Sequence, residues 1–147
     1  MKGYVCGICG FIAIDGQAPE KCPVCGAPRK AFAEKEDAIH TPGSVTNYTE
    51  PEKKHIPVIT INKACGIISG GCNDVDIKVG EMTHPMLPEH FITRIDCYLD
   101  KKYIARIMIT TGALNPAAGL HLKADKGTFT AIETCNVHGS WIAEIGL

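Results

Sequence analysis

Two copies of Cys-x-x-Cys-Gly, Cys6-Gly7-Ile8-Cys9-Gly10 and Cys22-Pro23-Val24-Cys25-Gly26, stand near the start of the chain with twelve residues between Cys9 and Cys22. A two-residue gap lets both sulfurs of such a knuckle face one tetrahedral metal. The glycine after each second cysteine can take a positive φ that turns backbone N–H groups toward the thiolates. Four thiolates suit zinc or iron, and spacing alone does not separate the two. Eight of the 147 residues are cysteine. Met1 is not followed by an apolar leader, and no apolar run approaches the roughly 18 residues of a membrane span, so the expected location is the cytoplasm. In that reducing compartment such a cysteine count points to metal ligation and not to disulfides. Fifteen Lys and Arg against sixteen Asp and Glu leave no basic excess to neutralise phosphates, which argues against nucleic acid and anionic membranes as partners.

The cysteine distribution divides the chain. Residues 1–38 hold four of the eight and have little room for a hydrophobic core, so this module is expected to fold around its metal. Residues 39–52 carry Pro42, Gly43 and Pro51 among polar residues and read as a linker. Residues 53–147 change to short runs rich in Ile, Val and Thr. Asp74–Val79 alternates strictly, which puts Val75, Ile77 and Val79 on a core face. Residues 55–61 are apolar on both parities and read as a more buried strand, with Pro57 near its start or at an edge. Residues 90–99 and 102–111 form a hairpin pattern across Asp100-Lys101-Lys102, and 127–135 and 140–146 add two further strands. Six short strands with no amphipathic helix predict a mostly β chain, a small metal-knuckle module followed by an antiparallel β-sandwich. Residues 112–126, with Gly112, Pro116 and Gly119, read as loop.

Four histidines and one cysteine of the second domain fall in three short contexts. The first is Glu52-Lys53-Lys54-His55-Ile56-Pro57. The second is His84-Pro85-Met86-Leu87-Pro88-Glu89-His90, whose prolines exclude a helix, so its histidines must converge through a loop. The third is Cys135-Asn136-Val137-His138-Gly139-Ser140-Trp141. Each alone is weak, because a lone histidine is usually an ordinary hydrogen-bonded side chain.

Together these contexts resemble the superoxide reductase family, the desulfoferrodoxins and neelaredoxins. That family carries Lys-His-x-Pro, His-Pro-Met-x-x-Glu-His and Cys-Asn-x-His-Gly-x-Trp in this order. The match spans roughly residues 52–147 and includes Val79-Gly80-Glu81 ahead of the second motif. At the front, Tyr4–Phe11 and Ala18–Pro28 resemble the short rubredoxin-like domain of rubrerythrins. The resemblances imply an immunoglobulin-like sandwich and two irons. One is held by Cys6, Cys9, Cys22 and Cys25, where zinc is also an acceptable occupant. The other is held by His55, His84, His90 and His138 around a square plane and by Cys135 axially, with the sixth position open.

Four neutral imidazoles and one thiolate give a ferrous site a single net positive charge, which draws a small anion such as superoxide. The thiolate pushes electron density onto the metal, and the N–H groups of Val137 and His138 are placed to moderate that push. The implied reaction is the one-electron reduction of superoxide to hydrogen peroxide. The electron comes from reduced rubredoxin or a similar donor, passing through the front iron, and the assembly expected is a homodimer or homotetramer. Lys54 occupies the place of the family lysine that attracts the anion and organises a proton-donating water. The family's glutamate ligand directly before that lysine is replaced here by Lys53, with Glu52 one place earlier. Either Glu52 reaches the metal, or the site closes with water, hydroxide or nothing, which is the expectation here.

Two rival readings are a non-catalytic iron protein for electron transfer or redox sensing, and a zinc-ribbon interaction module fused to a sandwich. Cys65 and Cys72 flank a glycine-rich stretch and admit a redox pair or regulatory disulfide. Cys97 reads as a small buried hydrophobe. His40 and His121 have no partner motif and are expected to be non-ligands, and Trp141 is expected to pack near the iron loop without chemistry of its own.

Overall fold

In the computed structural model, which describes residues 1–44 and 46–147, the front module is a three-stranded antiparallel sheet. Strand β1 (Gly3–Cys6) lies between β2 (Ile12–Ala13) and β3 (Phe32–Lys35). The two knuckles leave this sheet on Gly10 and Gly26, with φ of 70° and 73°, the left-handed conformation expected of the residue after each second cysteine.

A short helix, α1 (Glu50–His55), precedes seven strands in two sheets. Strands β4 (Pro57–Asn62), β5 (Asn73–Val79) and β8 (Ala117–Leu122) form one sheet in the order β4-β5-β8. Strands β6 (Ile92–Leu99), β7 (Lys102–Met108), β9 (Thr128–Cys135) and β10 (Gly139–Gly146) form the other in the order β10-β9-β6-β7. Val75, Ile77 and Val79 are fully buried and meet Ile92, Ile95, Cys97, Phe129 and Ala131 of the facing sheet, the sandwich core the alternation predicts. The β6–β7 hairpin turns on Asp100 and Lys101, both at positive φ, as a two-residue turn matched to strand twist requires.

Three expectations change. Residues 112–126 contain β8, an edge strand paired with β5 from Asn73↔Leu122 to Lys78↔Ala117. Its Ala-Ala-Gly start lacks the β-branched signal, and pairing supplies what propensity does not. His55 ends α1 and does not begin a strand; Pro57 takes the first position of β4. That strand is only half buried, with Val58 at 40% exposure, since its sheet covers the core with one face.

The front module shares a core with the sandwich. Phe11 stacks on Tyr98 and meets Phe32 and Tyr103 edge-on, and the Tyr98 hydroxyl donates to the Ile12 carbonyl at 2.7 Å. Beside it, the buried Asp96 accepts two hydrogen bonds from Arg106, at 2.6 and 2.7 Å. The same Arg106 donates to the Cys9 carbonyl and Arg94 donates to that of Gly10, each at 2.9 Å. Apolar stacking thus supplies contact area, and a buried carboxylate–guanidinium cluster fixes orientation. Ile39 is also buried in this core, and the backbone of His40 pairs with Ser140 and Ile142.

Candidate metal centre

The four front cysteines bring their sulfurs within 4.8 Å of one another, with Cys6–Cys25 at 3.8 Å and Cys9–Cys22 at 3.5 Å. Metal–sulfur bonds of about 2.3 Å at tetrahedral angles require edges of about 3.8 Å, so this sulfur set fits one four-coordinate ion. Burial raises the Cys6 thiol, but the backbone N–H groups of Cys9 and Ile8 outweigh it and hold the group below its ordinary value. A site closed by four protein ligands has no place for a substrate.

The second cluster gathers His55, His84, His90, Cys135 and His138, with one ligating atom of each within 4.8 Å of all the others. They arrive from four local structures. His55 is the last residue of α1, and His84 and His90 come from the proline-rich loop. Cys135 ends β9, and His138 lies in the β9–β10 turn, where Gly139 at φ 75° redirects the chain. The loop is tied to α1 by hydrogen bonds from Gly80 to the Ile56 carbonyl and from Met82 to the Lys53 carbonyl. Gly80 is required there, because a Cβ would sit 2.5 Å from the Lys54 carbonyl oxygen.

The four imidazoles stand at the corners of a near square. Successive ring centroids, His55 to His84 to His90 to His138 and back, are 4.6, 4.6, 4.8 and 4.9 Å apart, while the His55–His90 diagonal is 6.4 Å. Hydrogen bonds decide which nitrogen faces inward. His55 Nδ1 is engaged by Glu133 Oε1 at 3.2 Å and His84 Nδ1 by the Pro85 carbonyl at 2.7 Å, so their Nε2 atoms point to the centre. The inward Nε2 of His84 is buried and has no hydrogen-bond partner. His90 Nε2 and His138 Nδ1 approach to 3.1 Å, near the about 2.9 Å spanned by two metal–nitrogen bonds at a right angle. An unpartnered buried nitrogen among converging imidazoles and a thiol is what a metal would satisfy. Burial, and after it the neighbouring imidazoles, pushes His55 down to about 3. Burial pushes His84 down to about 4, against its bond to Pro85, so both rings are neutral and able to ligate at neutral pH. Cys135 lies among the core residues, with the Val137 N–H 3.4 Å from its sulfur.

Lys54 is exposed beside this cluster, and its charge bears on His84. Glu52 is directed elsewhere. Its carboxylate accepts from the N–H of Gly43 and the N–H and hydroxyl of Thr49, at 2.6–2.7 Å, closing a capping box at the start of α1. Those donors hold it below the usual carboxylate range, the Gly43 N–H first. Glu52→Ala should therefore lower the urea midpoint while leaving the ferric visible spectrum and azide binding as they are. A carboxylate-to-iron signal lost in that variant would show the opposite assignment to be correct.

Family models match the chain in two places. That of desulfoferrodoxin covers residues 47–144, and that of the rubredoxin-like domain of rubrerythrin covers residues 4–33. The chain belongs to the desulfoferrodoxin family. It is 36% identical over 103 residues to a desulfoferrodoxin of Clostridium acetobutylicum, covering 69% of this chain and 70% of that protein. It is 30% identical over 146 residues to one of Desulfarculus baarsii, covering 98% and 96%. Among solved structures it resembles a superoxide reductase from Nanoarchaeum equitans, with 32% identity and a TM-score of 0.57 over 69% of this chain and 97% of that one. In this desulfoferrodoxin-family chain the front module is thus of the rubrerythrin type. Among the described residues no helix is long and apolar enough to cross a membrane.

Two residues around the square, Glu133 and His40, are not evident from motifs, whereas Trp141 packs at the site as its motif predicts. Glu133, fully buried and raised to about 9 by burial against the pull of Arg94, orients His55. Its one signal in sequence is a carboxylate inside the otherwise uncharged strand Thr128–Cys135. Trp141 stacks on His55 at 5.1 Å and 9°, and His40 covers its far side at 4.6 Å. This brings the supposed linker to the back of the site.

Proposed function

We propose that the protein is a superoxide reductase, with iron held by His55, His84, His90, His138 and Cys135 and a second iron held by Cys6, Cys9, Cys22 and Cys25. The observation that carries this reading is the square of four imidazoles with a buried thiol beside it, next to an exposed lysine. Iron bound there supplies one electron and a position at which a small anion binds. The overall change is superoxide plus one electron and two protons to hydrogen peroxide. Lys54 draws the anion and holds the water that delivers a proton. The Val137 N–H steadies the Cys135 thiolate, and Glu133 keeps His55 in the tautomer that ligates. Glu52, committed to its cap, leaves the open position to solvent or substrate. The front module of residues 1–38 returns the electron from a rubredoxin-like donor in the cytoplasm.

Pulse radiolysis of the fully reduced protein tests the proposal. Superoxide should oxidise the His4Cys iron at a near diffusion-limited rate, with one hydrogen peroxide formed per iron oxidised. An iron that stays ferrous would mark a protein for electron transfer alone, and evolution of dioxygen would mark a dismutase. Lys54→Ala should slow the second-order step on the order of tenfold and flatten its dependence on ionic strength, as expected when a steering charge is removed. An unchanged salt dependence would leave Lys54 as an ordinary surface residue.

A further inference from the structure

His121, expected to be a non-ligand, stands in a third cluster with Cys65, Cys72 and Asp74. One ligating atom of each lies within 4.8 Å of all the others. From these residues we propose a third metal site, a closed structural centre for a divalent, borderline-soft ion, zinc above all. It depends neither on the superoxide reaction nor on the two centres described above.

Strand register builds most of it. Asp74 of β5 is paired directly with His121 of β8, so their side chains share one face of the sheet. Cys72, two residues before Asp74, falls on that same face by the strand period. It is the outer face, since Val75 and Ile77 take the core side. Cys65 returns to it from the glycine-rich loop, where Gly70 and Gly71 at φ 86° and 91° reverse the chain. The site lies at the far end of β4 from His55, which precedes the first residue of that strand while Cys65 follows the last. A strand of this length spans roughly 20 Å.

The distances suit a tetrahedron. His121 Nδ1 is 3.3 Å from Cys65 Sγ, 3.7 Å from Cys72 Sγ and 2.9 Å from Asp74 Oδ1. Tetrahedral zinc with ordinary bond lengths would place sulfur and nitrogen about 3.6 Å apart, and nitrogen and oxygen about 3.4 Å apart. Small outward shifts on binding reach those values. Two further observations point to a ligand. Asp74 Oδ1 is buried without a satisfactory hydrogen bond despite its closeness to the imidazole, and a metal would complete it. The Ile68 N–H donates to Cys65 Sγ at 3.3 Å, the arrangement that stabilises a thiolate in the front knuckles. The loop between Asn62 and Asn73 has few apolar anchors, with Ile67 and Ile68 exposed at 78% and 50%. A metal would fasten it to β8, as metals do for segments too short to form a core. Two thiolates, one imidazole and one carboxylate suit zinc and leave no open position.

The test uses the full-length protein, prepared anaerobically with both iron centres filled, and titrates it with cobalt(II) followed by zinc(II). One further equivalent of cobalt per chain is expected, with the visible bands of a tetrahedral thiolate site that zinc then abolishes. Cys72→Ser and His121→Ala should each weaken that binding by more than the roughly 10–100-fold that loss of an outer-shell partner costs. Asp74→Asn should weaken it less. In every variant the spectra of the two iron centres should persist, which separates loss of this site from failure to fold. Absence of a third equivalent would overturn the proposal. So would a Cys65–Cys72 disulfide in the anaerobic protein, or cobalt binding equal to wild type in both ligand variants. Superoxide oxidation followed on the same samples reports on the second centre alone, so the two readings fail separately.

Discussion

Cys135→Ser should nearly extinguish oxidation of the reduced protein by superoxide, a loss well beyond the roughly 100-fold that outer-shell changes reach at metal sites. A serine hydroxyl is not deprotonated near neutral pH, so the exchange removes the only anionic member of the five-residue set and leaves the metal more positive by one charge. Electron density once supplied by the thiolate is then missing, the ferrous state is favoured, and the electron is given up less readily. His55 and His84 keep their places, because they are oriented by Glu133 and the Pro85 carbonyl and not by the sulfur. Iron content should therefore remain near wild type while the thiolate-to-ferric charge-transfer band disappears. Pulse radiolysis with visible detection checks both, and a variant that kept the band and the rate would remove Cys135 from the ligand set.

The second large effect concerns stability. Asp96 is 1% exposed and receives Arg106 through two hydrogen bonds, with Arg94 3.4 Å away. Replacing it with alanine leaves two guanidinium groups against the front module without their carboxylate. Breaking a buried pair from one side costs about 3–5 kcal/mol, because the remaining charge is desolvated and uncompensated. Asp96→Ala should lose that much unfolding free energy in urea. Asp96→Asn, which keeps a carbonyl acceptor in the same place, should lose less. A change below about 1 kcal/mol for Asp96→Ala would place the cluster with exposed ion pairs that contribute little. The variant should also loosen Arg106 and Arg94 from the Cys9 and Gly10 carbonyls, so the rubredoxin-like spectrum offers a second readout.

Residue order exposed some of this architecture and concealed the rest for identifiable reasons. The Asp74–Val79 alternation and the Asp100-Lys101 turn are local patterns, and both appear where local physics puts them. Helix α1 carries no periodic signal in sequence because six residues are too few to show a 3.6-residue period. Thr49-Glu50-Pro51-Glu52 nevertheless spelled a capping box with proline in the first turn, where proline favours a helix instead of breaking it. That reading also accounts for Glu52, which acts on its own backbone. The residues of the His4Cys cluster were legible because each sits in a dense motif. Glu133 and His40 were not, since their roles depend on strand pairing and on a stacked tryptophan. Asp74 and His121 meet through a register between distant segments, which one-dimensional spacing does not encode.

The attachment of the front knuckle to β6 has a kinetic consequence. Arg94 grips the Gly10 carbonyl, and two residues along the same strand Ile92 lies opposite Cys135. The two centres are thus fastened to neighbouring parts of one ladder, not joined by a tether. Were metals in the two centres to exchange an electron inside one chain, that step would be first order, its rate set by a fixed separation and indifferent to dilution. Reduction by a separate carrier instead scales with that carrier's concentration. A cell holding few copies of this protein would lose none of the speed of the internal step.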